Sequence, residues 1–280
     1  MWLLRMTTLG AMSDRVTVTM DGGVADVRLN RPDKMNALDQ AMFDALVETS
    51  ASLAAEAGLR SVVLSGEGKA FCAGLDFGSF QKMAGDDDAP SADSVSARRE
   101  GQITHHGQQS VYGWTELPVP VIAAIDGVAL GGGIQLALGA DMRYIAPGGR
   151  MSVLEIRWGL VPDMTGTQRL IELVGLDVAM ELTLTGRMVE GPEAVSLGLA
   201  TRVEDDPRAA ALETAHTIAA KSPHAVRAAK RLLRAAGSVD EAEGFRMERH
   251  EIAQLIGSHN QVEAVQAFFE QRDPVYSDPD

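Results

Sequence analysis

The sequence predicts an α/β fold followed by a helical tail, and three observations lead to this prediction. Strand and helix patterns alternate to about residue 200. From Asp206 onward only alanine-rich amphipathic helix patterns occur. The 280 residues, 45% of them hydrophobic, can bury one good core or at most two small domains. We therefore divide the chain into a disordered extension 1–12, a core 13–205 and a helical region 206–280.

Several segments carry recognisable turn and capping signals. Val16–Met20 and Val24–Leu29 flank Asp21-Gly22-Gly23 and predict a hairpin. Asp39 precedes apolar residues at helical spacing and is expected to cap a helix. Residues 78–100 are polar and acidic, which predicts a mobile loop that covers a pocket, with a helix over Gln102–Glu116 after it. Four tail helices are predicted, over Pro207–Lys221, Pro223–Ala236, Val239–Ile256 and Gln261–Gln271.

Composition and charge exclude several classes of function. The net charge of −14 argues against nucleic-acid binding, which needs lysine and arginine gathered on one face. A single cysteine excludes a disulfide framework and a cysteine-rich zinc site, and it favours a reducing compartment. No apolar run reaches the roughly 18 residues that a membrane span needs. We expect a cytoplasmic protein that binds neither nucleic acid nor membrane.

Two glycine-rich turns are the most informative feature. Residues 121–137, VIAAIDGVALGGGIQLA, run from an apolar strand through Gly131, Gly132 and Gly133 into an apolar helix. Residues 62–76, VVLSGEGKAFCAGLD, also lead from a strand into small residues. Such turns leave backbone N–H groups bare, so they can hold a phosphate or a developing oxyanion.

Other glycine and metal motifs do not fit. Leu136 stands where a dinucleotide fingerprint needs its third glycine. Gly68-Lys69 is followed by Ala70, and Val63 takes the place of the first glycine of a P-loop. The pair His250-Glu251 lacks a second histidine, because residue 254 is Gln.

Several short motifs occur in a characteristic order along most of the chain. They are Asn30-Arg31-Pro32, Asn36-Ala37-Leu38, the turn Phe71–Asp76, the glycine run, Leu154-Glu155 and Gly166-Thr167-Gln168-Arg169-Leu170. In this order and spacing the chain resembles the crotonase, or enoyl-CoA hydratase/isomerase, superfamily from about Val16 to Pro274. The resemblance implies a ββα spiral core and a C-terminal helical region that builds a homotrimer or a dimer of trimers. Phe268 and Phe269 suit burial against such a partner.

The resemblance also implies an acyl-CoA thioester as the substrate, with coenzyme A as part of it and no separate cofactor or metal. Leu75 and Gly132 match the two backbone donors that stabilise an enolate oxygen. Other expected substrate contacts are Arg31, Lys34, Ala37, Ala73, Asp76, Gln135 and Trp158. From the residues alone, Arg31 and Lys34 fit either a phosphate-binding pair or a solvated loop, and Trp158 fits either the acyl pocket or the core.

Enolate chemistry needs a proton carrier, and Glu155 is the strongest candidate. It lies among apolar neighbours and matches one of the two glutamates of hydratases, although a surface position on an edge strand is the alternative. The second glutamate position is Gln135, whose amide cannot act as acid or base. Asp163 stands where hydratases usually have glycine and the dienoyl-CoA isomerase branch has aspartate; its alternative role is the N-cap of a helix over Met164–Leu173.

We therefore expect an enzyme that moves a double bond in an enoyl-CoA or dienoyl-CoA, with Glu155 and Asp163 carrying protons. One alternative is a 2-enoyl-CoA hydratase that uses Glu155 alone to activate water. Another is a catalytically silent acyl-CoA-binding protein. Cys72 is expected to be a small packed residue, and the six histidines are expected to be solvated or to cap helices.

Overall fold

The computed structural model describes residues 7–8, 13–76, 78, 97–98 and 101–279. Its strands are β1 (Thr7–Thr8), β2 (Val16–Asp21), β3 (Val24–Leu29), β4 (Ser61–Gly66), β5 (Val121–Ile125), β6 (Val128–Leu130), β7 (Met142–Ile145), β8 (Arg150–Ser152), β9 (Val189–Glu190) and β10 (Arg202–Val203). The helices of the core are α1 (Gln40–Ala54), α2 (His106–Glu116), α3 (Gly132–Leu138), α4 (Gly166–Val174), α5 (Leu176–Thr185) and α6 (Gly191–Ser196). The tail helices are α7 (Pro207–Ala219), α8 (Pro223–Ala235), α9 (Glu241–Leu255) and α10 (His259–Glu270).

The strands form two sheets. The larger has the order β1-β2-β3-β4-β5-β7-β10, antiparallel from β1 to β3 and parallel beyond it. The smaller has the order β6-β8-β9, with β6 and β8 parallel. Strands β3, β4 and β5 lie inside the sheet, and their apolar side chains are buried, so they form the centre of the core.

The first elements agree with the sequence-based predictions. β2 and β3 pair as an antiparallel hairpin, with Asp21 opposite Val24. Asp39 caps α1, since its carboxylate accepts the N–H of Met42 at 2.9 Å. Helix α2 begins at His106 and not at Gln102, because His105 caps it and exchanges hydrogen bonds with Gln108.

The N-terminal extension and the acidic loop lie mostly outside the described residues. Thr7–Thr8 is an exception, since it pairs with Thr19 and Met20 of β2. This pair adds an edge strand to the sheet, and disorder over the rest of 1–12 stays a prediction. Of the predicted loop 78–100, the structure describes only residues 78, 97 and 98.

The tail is helical, as predicted, and its described residues after β10 contain no strand. Its helices begin and end within about two residues of the predicted bounds, the ordinary spread for helix ends. Helix α8 is joined to the core by ion pairs from Lys230 and Arg234 to Asp141, at 2.8 and 2.6 Å. Arg60 holds the C-terminal segment through the Asp278 carboxylate at 2.8 Å and the carbonyl of Tyr276 at 3.1 Å. None of the helices in the described part of the chain is long and apolar enough to cross a membrane.

Candidate active site

Three chain segments lie side by side at the centre of the site. The N–H of Leu38 donates to Gly74 at 2.8 Å, and the N–H of Asp76 donates back to Leu38 at 3.0 Å. Cys72 forms a parallel bridge with Ala129 in the same way. These bonds bring the turn after Cys72 against the turn that follows β6. A Cβ on Gly74 would lie 3.5 Å from the amide nitrogen of Gly132.

This arrangement leaves two neighbouring backbone donors. Within the described residues, the N–H groups of Leu75 and Gly132 have no hydrogen-bond acceptor. Gly74 has a φ of +89°, and a Cβ on it would come within 2.6 Å of the carbonyl oxygen of Leu130, so only glycine fits there. The two predicted oxyanion donors are thus brought together by backbone geometry, and they can hold one carbonyl oxygen that gains negative charge.

Asn36 is a buried residue whose side chain joins two segments of the site, and no role for it was predicted from the sequence. Its side-chain nitrogen donates to the carbonyls of Glu67 and Ala70, at 3.0 and 2.8 Å, while its oxygen accepts the N–H of Arg31 at 2.8 Å. Its φ of 55° is left-handed, a conformation that asparagine tolerates well. The signal in the sequence that could have indicated this role is an asparagine directly after a short polar turn. Asn36 ties the loop before α1 to the turn that carries Leu75.

Glu155 comes to the site through the smaller sheet. β6 and β8 are parallel, so the residues after their carboxyl ends lie at the same edge: Gly131 after β6 and Glu155 after β8. The Oε1 atom of Glu155 lies 3.6 Å from where a Cβ on Gly131 would stand, next to the oxyanion donor Gly132. The residue is 9% exposed, which excludes the surface alternative.

The carboxyl group of Glu155 has an altered acidity. Burial raises its pKa, and the backbone N–H groups of Glu155 and Leu154 and the side chain of Gln135 oppose the rise, while the charge of Asp163 adds to it. Its Oε1 accepts from Gln135 at 2.6 Å. Its Oε2 is buried and has no hydrogen-bond partner within the described residues. A buried carboxyl oxygen without a partner is suited to exchange a proton with a substrate.

Gln135 is 1% exposed, and its side-chain amide makes three hydrogen bonds. Its Oε1 accepts the N–H groups of Met164 and Gly166, at 2.8 and 3.2 Å, and its Nε2 donates to Glu155. These bonds join the amide to the backbone at Met164 and at the start of α4, and to Glu155. Contact of Gln135 with the substrate stays a prediction.

Asp163 is exposed and lies in the segment between Glu155 and α4. The alternative prediction that Asp163 caps a helix over Met164–Leu173 is wrong, because α4 begins at Gly166 after Thr165. Thr165 takes a left-handed conformation, which separates Asp163 from the first helical turn. The charge of Asp163 contributes to the raised pKa of Glu155, although less than burial does.

Arg31 and Asp76 form an ion pair at 2.8 Å that joins the loop before α1 to the Leu75 turn. Arg31 also donates to the carbonyl of Ala37 at 3.1 Å. Although burial opposes ionisation of Asp76, Arg31 and the N–H of Gly78 hold its pKa below the usual value. Arg31 therefore supports the turn, whereas Lys34 is exposed on the same loop and faces solvent.

The remaining candidates lie around these groups. Ala37 is buried, and Ala73 is partly buried and donates its N–H to the carbonyl of Met35 at 2.9 Å. Trp158 is 48% exposed, so it is not a core residue. Cys72 is completely buried, and burial raises the pKa of its thiol to about 12, consistent with a packed residue and not a nucleophile. Among the described residues, no group of three or more His, Cys, Asp or Glu is placed to hold a metal ion.

Two neighbouring backbone donors with a buried carboxyl beside them form an arrangement that can stabilise an enolate at a carbonyl. Comparison with known proteins agrees with this chemistry. A family model described as enoyl-CoA hydratase/isomerase matches residues 19–279. A probable enoyl-CoA hydratase of Bacillus subtilis is 32% identical over 265 residues, covering 93% of this chain and 98% of that protein. Mouse mitochondrial methylglutaconyl-CoA hydratase is 31% identical over 91% of this chain and 79% of that protein.

Solved structures give the same result. An enoyl-CoA hydratase from Bacillus anthracis superposes with a TM-score of 0.82 at 34% identity, over 94% of this chain and 98% of that one. The chain therefore belongs to the enoyl-CoA hydratase/isomerase family, and its α/β core and helical tail are the crotonase fold.

Proposed function

We propose that the protein moves a double bond in an enoyl-CoA or dienoyl-CoA thioester, with Glu155 and Asp163 as the proton carriers. The observation that carries this proposal is the pairing of Glu155 with an amide at position 135. A hydratase of the two-glutamate type needs a second carboxylate there, whereas Gln135 has no proton to exchange.

The reaction begins when a 3-enoyl-CoA places its thioester oxygen between the N–H groups of Leu75 and Gly132. The Oε2 atom of Glu155 takes a proton from C2, and the electron pair shifts into a dienolate whose oxygen the two amides stabilise. Return of a proton to C4 places the double bond between C2 and C3. Asp163 is exposed, so it takes a proton from solvent before this step and delivers it to C4. Glu155 holds the proton taken from C2, which its raised pKa favours, and releases it to solvent after the product leaves, so both carboxyl groups return to their starting state.

Hydration is the second candidate, because several relatives are named hydratases and Oε2 of Glu155 is also suited to activate water. In that reaction Glu155 acts alone and the product gains the mass of water. A catalytically silent acyl-CoA-binding protein is less consistent with the site, since it would have no use for a buried carboxyl with an unpaired oxygen beside the two amides.

The substrate's coenzyme A portion and the assembly of the protein are further parts of the proposal. Lys34 on its exposed loop is our candidate contact for a coenzyme A phosphate, with Arg31 as its neighbour. A homotrimer, or a dimer of trimers, is supported by apolar side chains of the tail that face solvent in one chain, above all Phe268 and Phe269, each 77% exposed. Cytoplasmic localisation stays a prediction.

A panel of 2-enoyl, 3-enoyl and 3,5-dienoyl CoA thioesters tests the reaction class. Product masses separate movement of a double bond, which leaves the mass unchanged, from addition of water. We expect turnover of the 3-enoyl or 3,5-dienoyl substrate without a mass gain. Rapid hydration of the 2-enoyl substrate, with no isomerisation, selects the second candidate. Binding without turnover of any substrate selects the silent protein.

A further inference from the structure

The turn formed by residues 164–166 has an unusual backbone. Thr165 has φ 70° and ψ −3°, in the left-handed region. Threonine is β-branched, and such residues adopt this region only when the surrounding structure enforces it. The hydroxyl group of Thr165 makes no hydrogen bond that caps α4. The strained conformation is therefore not explained by capping of the helix.

The left-handed conformation of Thr165 sets the directions of the N–H groups of the residues on either side of it. The N–H groups of Met164 and Gly166 both point at one atom, Oε1 of Gln135, at 2.8 and 3.2 Å. Successive amides around a left-handed residue form a concave site for a negatively charged atom. Gly166 completes this site, because a Cβ on it would lie 2.8 Å from that same oxygen.

Two donors on Oε1 settle the orientation of the Gln135 amide. An amide oxygen accepts and an amide nitrogen donates, so Nε2 must be the atom that faces Glu155. That nitrogen lies 2.6 Å from Oε1 of Glu155. One oxygen of the carboxyl is thus held, while Oε2 is left without a partner in the described part of the chain.

We propose that the strained turn 164–166 and Gln135 are positioning residues for Glu155: the turn fixes the amide of Gln135, and that amide holds Oε1 of Glu155 so that Oε2 is the oxygen that exchanges protons. This inference rests on the proposed function in assigning Glu155 the proton transfer. It assigns different roles to the two carboxyl oxygens, since Oε1 is held by Gln135 and Oε2 exchanges the proton. It also gives a reason for the backbone strain at Thr165.

The test measures the titration of Glu155 directly, by NMR of protein carrying 13C in its glutamate carboxyl groups. The Glu155→Gln variant assigns the signal. Gln135→Met keeps the size of the side chain but removes the Nε2 donor to Glu155 and the oxygen that accepts the N–H groups of Met164 and Gly166. Gly166→Ala places a methyl group against Oε1 of Gln135 while keeping an ordinary helical backbone. Thr167→Val, an exposed neighbour on α4, is the matched control.

Both Gln135→Met and Gly166→Ala are expected to move the titration of Glu155 to higher pH, because the Gln135 hydrogen bond favours the ionised form. The acidic limb of kcat/KM moves in the same direction, and kcat falls more than KM rises. Thr165→Asn raises the melting temperature, since asparagine accepts the left-handed conformation more readily. Thr167→Val changes none of these quantities.

An unchanged Glu155 titration in Gln135→Met overturns the inference, and this variant decides the matter even if Gly166→Ala does not fold. Failure of the proposed function has a different signature. In that case Glu155→Gln keeps its turnover, whether or not the titration of Glu155 moves in the other variants.

Discussion

The exposed carboxylate of Asp163 acts on the buried carboxyl of Glu155: burial raises the pKa of Glu155, and the charge of Asp163 adds to that rise. A raised pKa keeps part of the Glu155 population protonated closer to neutral pH, where a group that both takes and returns protons is most effective. In the proposed reaction Asp163 therefore has two separable roles, through its charge and as a proton carrier.

Replacing Asp163 separates these two roles. In Asp163→Asn the loss of the charge lowers the pKa of Glu155, so the acidic limb of the kcat/KM profile moves to lower pH. If Asp163 also carries a proton, turnover of 3-enoyl-CoA falls by roughly two orders of magnitude or more at every pH. A shifted limb with undiminished maximal turnover would show that Asp163 acts only through its charge.

Glu155→Gln is expected to lower turnover by roughly two to four orders of magnitude while leaving coenzyme A thioester binding intact. The amide keeps the shape of the side chain and removes only the proton transfer. Stopped-flow turnover and equilibrium binding of a substrate analogue measure the two quantities separately. Near-native turnover would remove Glu155 from the mechanism.

The same variant should be more stable than the wild-type protein, and increasingly so as the pH rises. The folded-state pKa of Glu155 is above its unfolded value, so its contribution to stability is present at low pH and is lost as the pH rises through the folded-state pKa. Glutamine avoids this loss because it does not ionise. Melting temperatures of both proteins at about pH 5 and about pH 8 test whether the stability difference between them grows with pH. A difference that shrinks with rising pH would contradict the assigned burial of Glu155.

Gln135→Glu restores the second carboxylate of the hydratase pattern. The new carboxylate can accept the same N–H groups of Met164 and Gly166, but it faces Glu155 with a like charge, which raises the pKa of the pair. We expect only a small gain in hydration of 2-enoyl-CoA, since Asp163 adds a third negative charge where hydratases usually have glycine. If the variant hydrates 2-enoyl-CoA at least as fast as the protein converts 3-enoyl-CoA, residue 135 alone selects the reaction.

The oxyanion donors are tested through Gly74, because substituting Gly132 would also push on Leu38 and Met164. Gly74→Ala forces its new methyl group against the carbonyl of Leu130 and separates the two N–H donors. Loss of one oxyanion donor costs about 3 to 4 kcal/mol in the barrier, so turnover of all substrates should fall together. Gly257→Ala, with φ +75° and open space around it, controls for backbone strain alone. Equal losses in a folded Gly74→Ala and in this control would argue against the assigned donors.

Much of this fold and site could be predicted from the sequence, since the signals are local. The hairpin around Asp21-Gly22-Gly23, the cap at Asp39 and the tail helices follow from turn chemistry and periodicity. The two glycine turns predicted bare backbone N–H groups, with tight packing as the alternative reason for glycine, and the family resemblance then singled out Leu75 and Gly132.

What the sequence could not show depends on contacts between distant residues. The role of Gln135 follows from hydrogen bonds across 20 to 31 positions, and no periodic pattern encodes them. The cap assigned to Asp163 failed because a threonine at position 165 gives no sign of a left-handed backbone. Likewise, the sequence does not show that Arg31 forms an ion pair, which the fold creates by bringing it within 2.8 Å of Asp76.

The most direct test of the central claim is incubation of the wild-type protein with 3-enoyl-CoA in deuterated water, followed by mass spectrometry of the thioester product. We expect a 2-enoyl product that has gained deuterium from solvent and no water, with the exchange lost in Glu155→Gln. A product that has gained the mass of water, or deuterium exchange that persists in Glu155→Gln, would contradict it.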